Sequence, residues 1–197
     1  MLPESVPPAP PLPIAPPPRQ TLVFSGHMAD APGRPVPRLP AALWPAARRA
    51  IDATLDQLDA GPSDLALTQG AAGGDLLFAE ACTARGIPLQ LLLPLPELRF
   101  IQASIAPSAG DWVERYRLLR GQLRLAPAEL PDPDAGDAFE RCNRWLLDTA
   151  LGSGTPRMHL IGLWNGAAGD GPGGTAHMMS EARRRGGQVT WIDSRRL

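Results

Sequence analysis

Short apolar runs alternate with longer segments of helical periodicity along most of the chain. The apolar runs cover residues 20–25, 64–68, 87–93, 158–164 and 188–193, and each is typical of a buried strand. Between them, apolar residues recur at three- and four-residue spacing and predict helices over residues 40–60, 75–85, 111–120, 137–151 and 175–185. A further short strand is predicted over residues 122–125. Because such alternation produces parallel βαβ units, the pattern predicts an α/β, Rossmann-like three-layer fold with a mainly parallel sheet.

The first 19 residues differ in composition from the rest and are dominated by proline. Proline removes a backbone donor and favours extended polyproline II, so this stretch cannot join a packed core. We therefore predict a disordered Pro-rich tail over residues 1–19 and a single domain over residues 20–197. The tail contains PxxP-like spacing that could dock an SH3-type partner, but a plain spacer is the simpler interpretation.

Charge and apolar content limit the classes of partner. The chain carries 19 basic residues, all of them arginine, against 20 acidic residues, for a net charge of −1. This balance provides no general attraction to nucleic acid or to an anionic membrane, so neither is an expected partner. No apolar run reaches the roughly 18–20 residues that a membrane span requires, and the N-terminus lacks the pattern of a secretory signal. We expect a cytoplasmic protein.

The two cysteines indicate no metal site. Cys82 and Cys142 each fall within a predicted helix, and neither belongs to a CxxC or Cys/His cluster. We interpret them as small buried apolar side chains. Neither a metal nor a bound cofactor is expected.

Glycine-rich segments follow three of the predicted strands, at residues 25–27, 69–75 and 165–174. The carboxyl ends of parallel strands meet at one edge of the sheet, where ligands of such proteins bind. Glycine allows close approach of a ligand, and the N–H groups at the start of the following helix favour phosphate. The predicted ligand-binding residues are Gly26, His27, Arg34, Gly70, Gly73, Gly74, Asp75, Asn165, Gly171, Gly173, Gly174 and Thr175.

Several of these side chains have more than one role open to them. Arg34, with its neighbour Arg38, lies in the long loop after the first strand and could close over a phosphate. Asp75 either caps the helix that it begins or accepts hydrogen bonds from ribose hydroxyls. Asn165 could contact a base or ribose edge, and Thr175 could cap its helix, bind phosphate, or do both.

The standard nucleotide-binding fingerprints are absent. A P-loop requires a lysine, and the chain has none. The first strand continues into SGHMADAPGR, which does not match the GxGxxG pattern of classical dinucleotide sites. The glycine turns therefore predict a different kind of nucleotide site.

Two of these loops resemble loops of known families. Residues 69–75, with Glu80-Ala81 and Arg85-Gly86 behind them, resemble the turn and helix of the DNA-processing protein A family. Residues 171–175 (GPGGT) resemble the PGGxGT loop of the lonely-guy (LOG) phosphoribohydrolases. Both families belong to the SLOG superfamily of Rossmann-like nucleotide-binding domains, and the resemblance covers residues 20–193. It implies a bacterial domain that binds or senses a nucleotide or nucleotide-derived ligand, such as an ADP-ribose-like molecule, in signalling or conflict systems.

The second loop departs from the LOG pattern at the catalytic position. LOG enzymes carry PGGxGTxxE, whereas Met178 stands three residues after Thr175 and Glu181 follows three residues later. This departure favours a binding domain over an enzyme. The alternative is a LOG-like nucleoside 5′-monophosphate phosphoribohydrolase, an N-glycosidase, with Glu80 and Glu181 as the candidate catalytic carboxylates. LOG-type folds are often dimers, so a homodimer is consistent with the resemblance.

Overall fold

The computed structural model describes residues 17–167 and 174–197. Six strands form its sheet: β1 (Thr21–Gly26), β2 (Leu65–Thr68), β3 (Leu89–Leu93), β4 (Ala128–Glu129), β5 (Met158–Trp164) and β6 (Gln188–Asp193). They lie in the order β4-β3-β2-β1-β5-β6, and every neighbouring pair is parallel. The prediction of a mainly parallel sheet is confirmed.

Helices cover both faces of this sheet. The described residues form six of them: α1 (Trp44–Gln57), α2 (Gly74–Ala84), α3 (Glu97–Ser104), α4 (Trp112–Gln122), α5 (Ala138–Gly152) and α6 (Thr175–Arg184). The buried residues of α1, α2, α3 and α4 join one apolar cluster, and those of α5 and α6 join another. Two helical layers therefore enclose the sheet, which is the Rossmann-like three-layer arrangement that the sequence predicts.

The central strand β1 shows why the strand segments are almost continuously apolar. Leu22 and Phe24 belong to the cluster on the α1–α2 side, whereas Val23 belongs to the cluster on the α5–α6 side. All three are buried, because successive side chains of a strand point to opposite faces and both faces are covered. Phe24 stacks on Phe78 of α2 with ring centroids 4.9 Å apart.

One local prediction is wrong, and one helix was not predicted. Residues 122–125 form no strand, because α4 continues to Gln122, and the fourth strand is instead Ala128–Glu129, which pairs with Leu92 and Leu93. Helix α3 was not predicted; it begins directly after Pro96. The helix predicted over residues 111–120 is α4, and the Asp111 side chain makes no hydrogen bond to its first turn.

The N-terminal boundary of the folded chain includes Arg19. Its guanidinium donates from Nε to Asp64 Oδ1 at 2.9 Å and from a terminal nitrogen to Asp64 Oδ2 at 3.0 Å. Asp64 is buried and also accepts from the Gln20 amide. The first 16 residues of the predicted tail lie outside the described residues.

The loop after β1 docks on the turn after β2. The Ala29 N–H donates to the Ala72 carbonyl at 2.9 Å, and the Gly74 N–H donates to the His27 carbonyl at 3.0 Å. Gly73 allows this approach: its φ is +101°, and a Cβ there would lie 2.8 Å from the Met28 carbonyl carbon and closer still to the Ala29 nitrogen. Only glycine satisfies both requirements at this position.

We expect Gly73→Ala to lower the free energy of unfolding by about 2–4 kcal/mol, because it adds left-handed backbone strain to a clash with backbone atoms that cannot rotate away. Urea denaturation at equilibrium measures the change. Gly121→Ala is the control, since Gly121 lies within α4 and a Cβ there meets nothing within 4 Å. It should leave stability unchanged or raise it by up to about 1 kcal/mol. Equal effects of the two changes would contradict this account of Gly73.

Candidate functional site

A cavity of about 340 Å³ opens at the carboxyl edge of the sheet. It lies at the end of β1, the strand at which the strand order reverses: β2, β3 and β4 follow on one side of β1, and β5 and β6 on the other. Open α/β sheets bind ligands at such a reversal. The lining residues are Phe24, Ser25, Gly26, His27, Met28, Arg34, Arg38, Gln69, Ala71, Asp75, Ser104, Asp137, Phe139, Asn143, Leu146, Gly174 and Thr175.

His27 is buried where β1 leaves the sheet. Its N–H donates to the Leu163 carbonyl at 3.0 Å and so extends the β1–β5 ladder by one bond. Its ring Nε2 accepts a hydrogen bond from the Asn165 N–H, also at 3.0 Å. A ring nitrogen that accepts carries no proton, so in this arrangement the imidazole is neutral and its proton is on Nδ1. The histidine joins the ends of β1 and β5 as well as lining the cavity.

The start of α6 forms the adjacent wall. The Ser25 and Thr175 hydroxyl oxygens lie 3.2 Å apart, which ties the end of β1 to the first residue of the helix. Gly162 lets α6 lie close to the sheet, since a Cβ there would stand 2.7 Å from the Met179 sulfur. The first turn of a helix presents N–H groups and a positive dipole end to whatever occupies the space in front of it.

Two arginines lie on the loop that follows β1. Asp30 shapes this loop by accepting hydrogen bonds from the Arg38 N–H at 3.0 Å and the Leu39 N–H at 3.2 Å. The Arg34 Nε donates to the Val36 carbonyl at 3.0 Å and lies 3.5 Å from an Asp30 carboxylate oxygen. Both Arg34 and Arg38 line the cavity, so two permanent positive charges stand at its wall.

Asp75 lies at the cavity with its carboxyl group buried. Burial raises the pKa of Asp75 to about 7, and hydrogen bonding from the Ala71 N–H acts in the opposite direction. The residue does not cap α2, because the N-cap position belongs to Gly73. The carboxyl group instead faces the turn before the helix, where the Ala71 N–H is 3.4 Å from Oδ2.

Helix α5 contributes four lining residues to which the sequence analysis assigned no ligand contact: Asp137, Phe139, Asn143 and Leu146. Asp137 caps the helix by accepting from the Phe139 and Glu140 N–H groups. The Asn143 Oδ1 accepts from the Gln69 Nε2 at 2.7 Å, which connects α5 to the end of β2. No local signal in the sequence marks these residues, because only the tertiary fold brings α5 to the cavity.

The predicted glycines divide into two groups. Gly26 and Gly174 line the cavity. Gly70, Gly73 and Gly74 do not, because the faces on which they lack a Cβ are turned toward Leu91, Ala29 and Phe24 of the protein itself. The N–H of Gly74, at the start of α2, is already bonded to the His27 carbonyl. This turn therefore serves packing, and Gly171 and Gly173 lie outside the described residues.

Three predicted polar residues lie away from the cavity lining. The Asn165 Oδ1 accepts from the Ala167 N–H at 3.0 Å, so this side chain closes a local turn. Glu80 pairs with Arg115 through two hydrogen bonds of 2.8 and 2.6 Å on the outer face of α2. Glu181, on α6, pairs with Arg184 and Arg185. The structure brings neither candidate catalytic glutamate to the cavity.

No family model and no curated protein matches the chain. Among solved structures, it is similar to the X-ray structure of TM1055, a Northeast Structural Genomics Consortium target, with 17% sequence identity and a TM-score of 0.46 over 86% of this chain and 72% of that one. None of the described helices is long and apolar enough to cross a membrane. Strand order and cavity position define an α/β protein of the Rossmann-like class.

Titration of Asp75 should make stability fall as the pH rises. Its pKa is about 7 in the folded protein and 3.8 in a model compound, so the stability that its protonation contributes is complete below pH 3.8 and is lost as the pH passes through 7. Asp75→Asn removes this dependence. Between pH 4 and pH 8 we expect the wild type to lose up to about 4 kcal/mol of unfolding free energy relative to the variant, measured by urea denaturation at each pH. Parallel pH profiles would contradict the buried, protonated carboxyl.

Proposed function

We propose that the cavity binds a phosphate-bearing nucleotide or nucleotide-derived ligand. The observation that carries this proposal is the meeting of two arginines and the start of α6 in one cavity at the reversal of strand order. Its volume of about 340 Å³ falls at the lower end of the roughly 300–1,000 Å³ found for small-molecule sites, which suits a ligand of mononucleotide size.

The phosphate belongs at the α6 side of the cavity. Arg34 and Arg38 provide guanidinium donors, and the start of α6 at Thr175 provides N–H groups and the positive end of the helix dipole. The Thr175 and Ser25 hydroxyls add neutral donors beside it. This combination recognises an anion by charge and by hydrogen bonding at the same time.

The nucleoside belongs toward α5. Phe139 is 39% exposed and offers a ring on which a base can stack, and Met28, also 39% exposed, adds apolar surface to the same cavity. The hydrogen-bonded amides of Gln69 and Asn143 line the same cavity. Their donors and acceptors suit ribose hydroxyls or a base edge. A ligand of this kind is also what the resemblance of residues 171–175 to the LOG loop implies.

Recognition without chemistry is the function that the site supports best. Glu80 and Glu181 lie outside the cavity, and each is neutralised by arginines. A domain that binds such a ligand without altering it is suited to sensing it in a signalling or conflict system.

One observation favours a LOG-like phosphoribohydrolase as the second candidate. Asp75 is a buried carboxyl in the cavity, and a pKa of about 7 lets it donate or accept a proton at neutral pH. Incubation with nucleoside 5′-monophosphates, followed by chromatography for free base, tests this candidate. Release of base by the wild type that stops in Asp75→Asn supports it, and the absence of release from all four nucleotides eliminates it.

Calorimetry against nucleoside 5′-monophosphates, ADP-ribose and cyclic dinucleotides tests the binding proposal. For a ligand found in this way, we expect Arg34→Gln with Arg38→Gln to weaken binding by at least about 100-fold, because two charge-assisted hydrogen bonds of about 1.5–3 kcal/mol each are lost. The matching nucleoside without phosphate should be insensitive to the change.

Arg117→Gln is the matched control, since Arg117 is exposed on α4 and pairs with Glu114 alone among the described ion pairs. It should leave the affinity within twofold of the wild type. If no member of the panel binds, or if the control weakens binding as much as the double variant, the proposal is wrong.

A further inference from the structure

An asparagine followed by glycine stands where β5 leaves the sheet. The chain has two asparagines: Asn143, which precedes Arg144, and Asn165, which precedes Gly166. In an Asn–Gly pair the backbone nitrogen of the glycine can attack the side-chain carboxamide, because glycine has no Cβ to obstruct the five-membered ring that results. The pair at residues 165 and 166 is therefore a candidate for a reaction of the chain with itself.

Two hydrogen bonds hold Asn165 in an arrangement that favours this reaction. Its N–H donates to the His27 ring at 3.0 Å, which fixes its backbone. Its Oδ1 accepts from the Ala167 N–H at 3.0 Å, and this bond folds the carboxamide back over the intervening Gly166 nitrogen. Negative charge develops on Oδ1 during attack on Cγ, and a backbone N–H already in place stabilises that charge, as the donors of an oxyanion hole do.

Gly166 supplies an attacking nitrogen that is not engaged elsewhere. Its N–H donates to no acceptor among the described residues. Its φ is +75°, and a Cβ would lie 3.2 Å from the Trp191 ring and 3.3 Å from an Arg195 nitrogen, so the turn favours glycine. Asn165 and Gly166 are both partly exposed, so water can enter and ammonia can leave.

Asn143 lacks these features. It is buried within α5, and its Oδ1 accepts from the Gln69 amide. The nitrogen of the following residue, Arg144, is held in the backbone hydrogen bonding of the helix. Asn143 is therefore an internal control for the reaction.

We propose that Asn165–Gly166 is a site of spontaneous deamidation in the folded protein. The Gly166 nitrogen forms a bond to Asn165 Cγ, the Cγ–Nδ2 bond breaks, and the leaving nitrogen takes up the Gly166 proton and departs as ammonia. Water then adds to one of the two carbonyls of the cyclic imide, whose opening gives aspartate or isoaspartate at position 165. Water is the only co-reactant.

The product carries a carboxylate next to the cavity. The N–H of residue 165 is bonded to the ring of His27, which lines the cavity together with Arg34 and Arg38. An added negative charge at this place opposes an anionic ligand. This consequence rests on the proposed function, and it means that the domain loses affinity for its ligand as the chain ages. The deamidation reaction itself is independent of the ligand.

Peptide mass mapping after incubation of the native chain at mildly alkaline pH tests the reaction. Cleavage after Arg157 and Arg183 releases residues 158–183, in which Asn165 is the only residue with a side-chain amide. This peptide should gain the mass difference between –NH2 and –OH, and faster as the pH rises, because the deprotonated nitrogen attacks. The peptide that contains Asn143 should keep its mass. Mass is the decisive readout, because Asp170–Gly171 in the same peptide can form isoaspartate without a change in mass.

Asn165→Ser is the matched control, since its hydroxyl can accept from the Ala167 N–H but carries no amide, and its peptide should keep its mass. The same wild-type chain in denaturing urea gives the rate without the turn. The native chain should convert at least as fast as the denatured chain. A native rate below the denatured rate, or an unchanged native peptide, overturns the proposal.

Calorimetry with Asn165→Asp tests the consequence for binding. Against the same nucleotide panel, this variant should bind a ligand of the wild type about three- to tenfold more weakly than Asn165→Ser does, because the two differ in one negative charge near the cavity. Equal affinities of the two variants overturn the consequence and leave the reaction standing. If no nucleotide binds the wild type, the proposed function fails and the consequence with it, while mass mapping still decides the reaction.

Discussion

Contact between two loops holds the carboxyl edge of this protein together. The loop after β1 and the turn after β2 exchange backbone hydrogen bonds, Ala29 N–H to Ala72 and Gly74 N–H to His27, and a side chain at position 73 would prevent their approach. The Ser108 hydroxyl also donates a hydrogen bond to the Ala29 carbonyl, in the loop after β1, at 2.9 Å. Arg34 and Arg38 lie on the loop after β1, and Asp75 directly follows the turn after β2. The geometry of the cavity therefore depends on the contact between these two segments.

The cavity combines two arginines with a buried carboxyl group and a buried histidine. Its positive charges lie on a loop near solvent, where a guanidinium group keeps most of its hydration. The Asp75 carboxyl, in contrast, is buried and half-protonated near neutral pH. The His27 ring accepts a backbone hydrogen bond and is neutral in that arrangement. The two arginines and the buried, partly protonated Asp75 suit a ligand with an anionic end and an uncharged end.

The helices and strands that were predicted correctly have a local, repeated pattern of apolar residues. The long helices α1, α5 and α6 and the buried strands β1, β3 and β5 have strong periodicity or continuous apolar runs, and all were predicted. Strand β4 has two residues and no period, so only its pairing with β3 identifies it. The sequence predicted that Gly70, Gly73 and Gly74 bind phosphate. A glycine can make room for a ligand or for a neighbouring loop of the protein, and the sequence alone does not distinguish the two cases. Phe139 and Asn143 were missed because only the tertiary fold brings α5 to the cavity.

The position of the nucleotide is the central claim, and amide chemical-shift mapping by ¹H–¹⁵N NMR tests it most directly. Titration of the ¹⁵N-labelled chain with a nucleoside 5′-phosphate should shift the amide signals of Ser25, His27, Asn143 and Thr175, with the outer faces of α2 and α4 unchanged. Shifts confined to the surface around Glu80 and Arg115, or no shifts at millimolar nucleotide, would contradict the account.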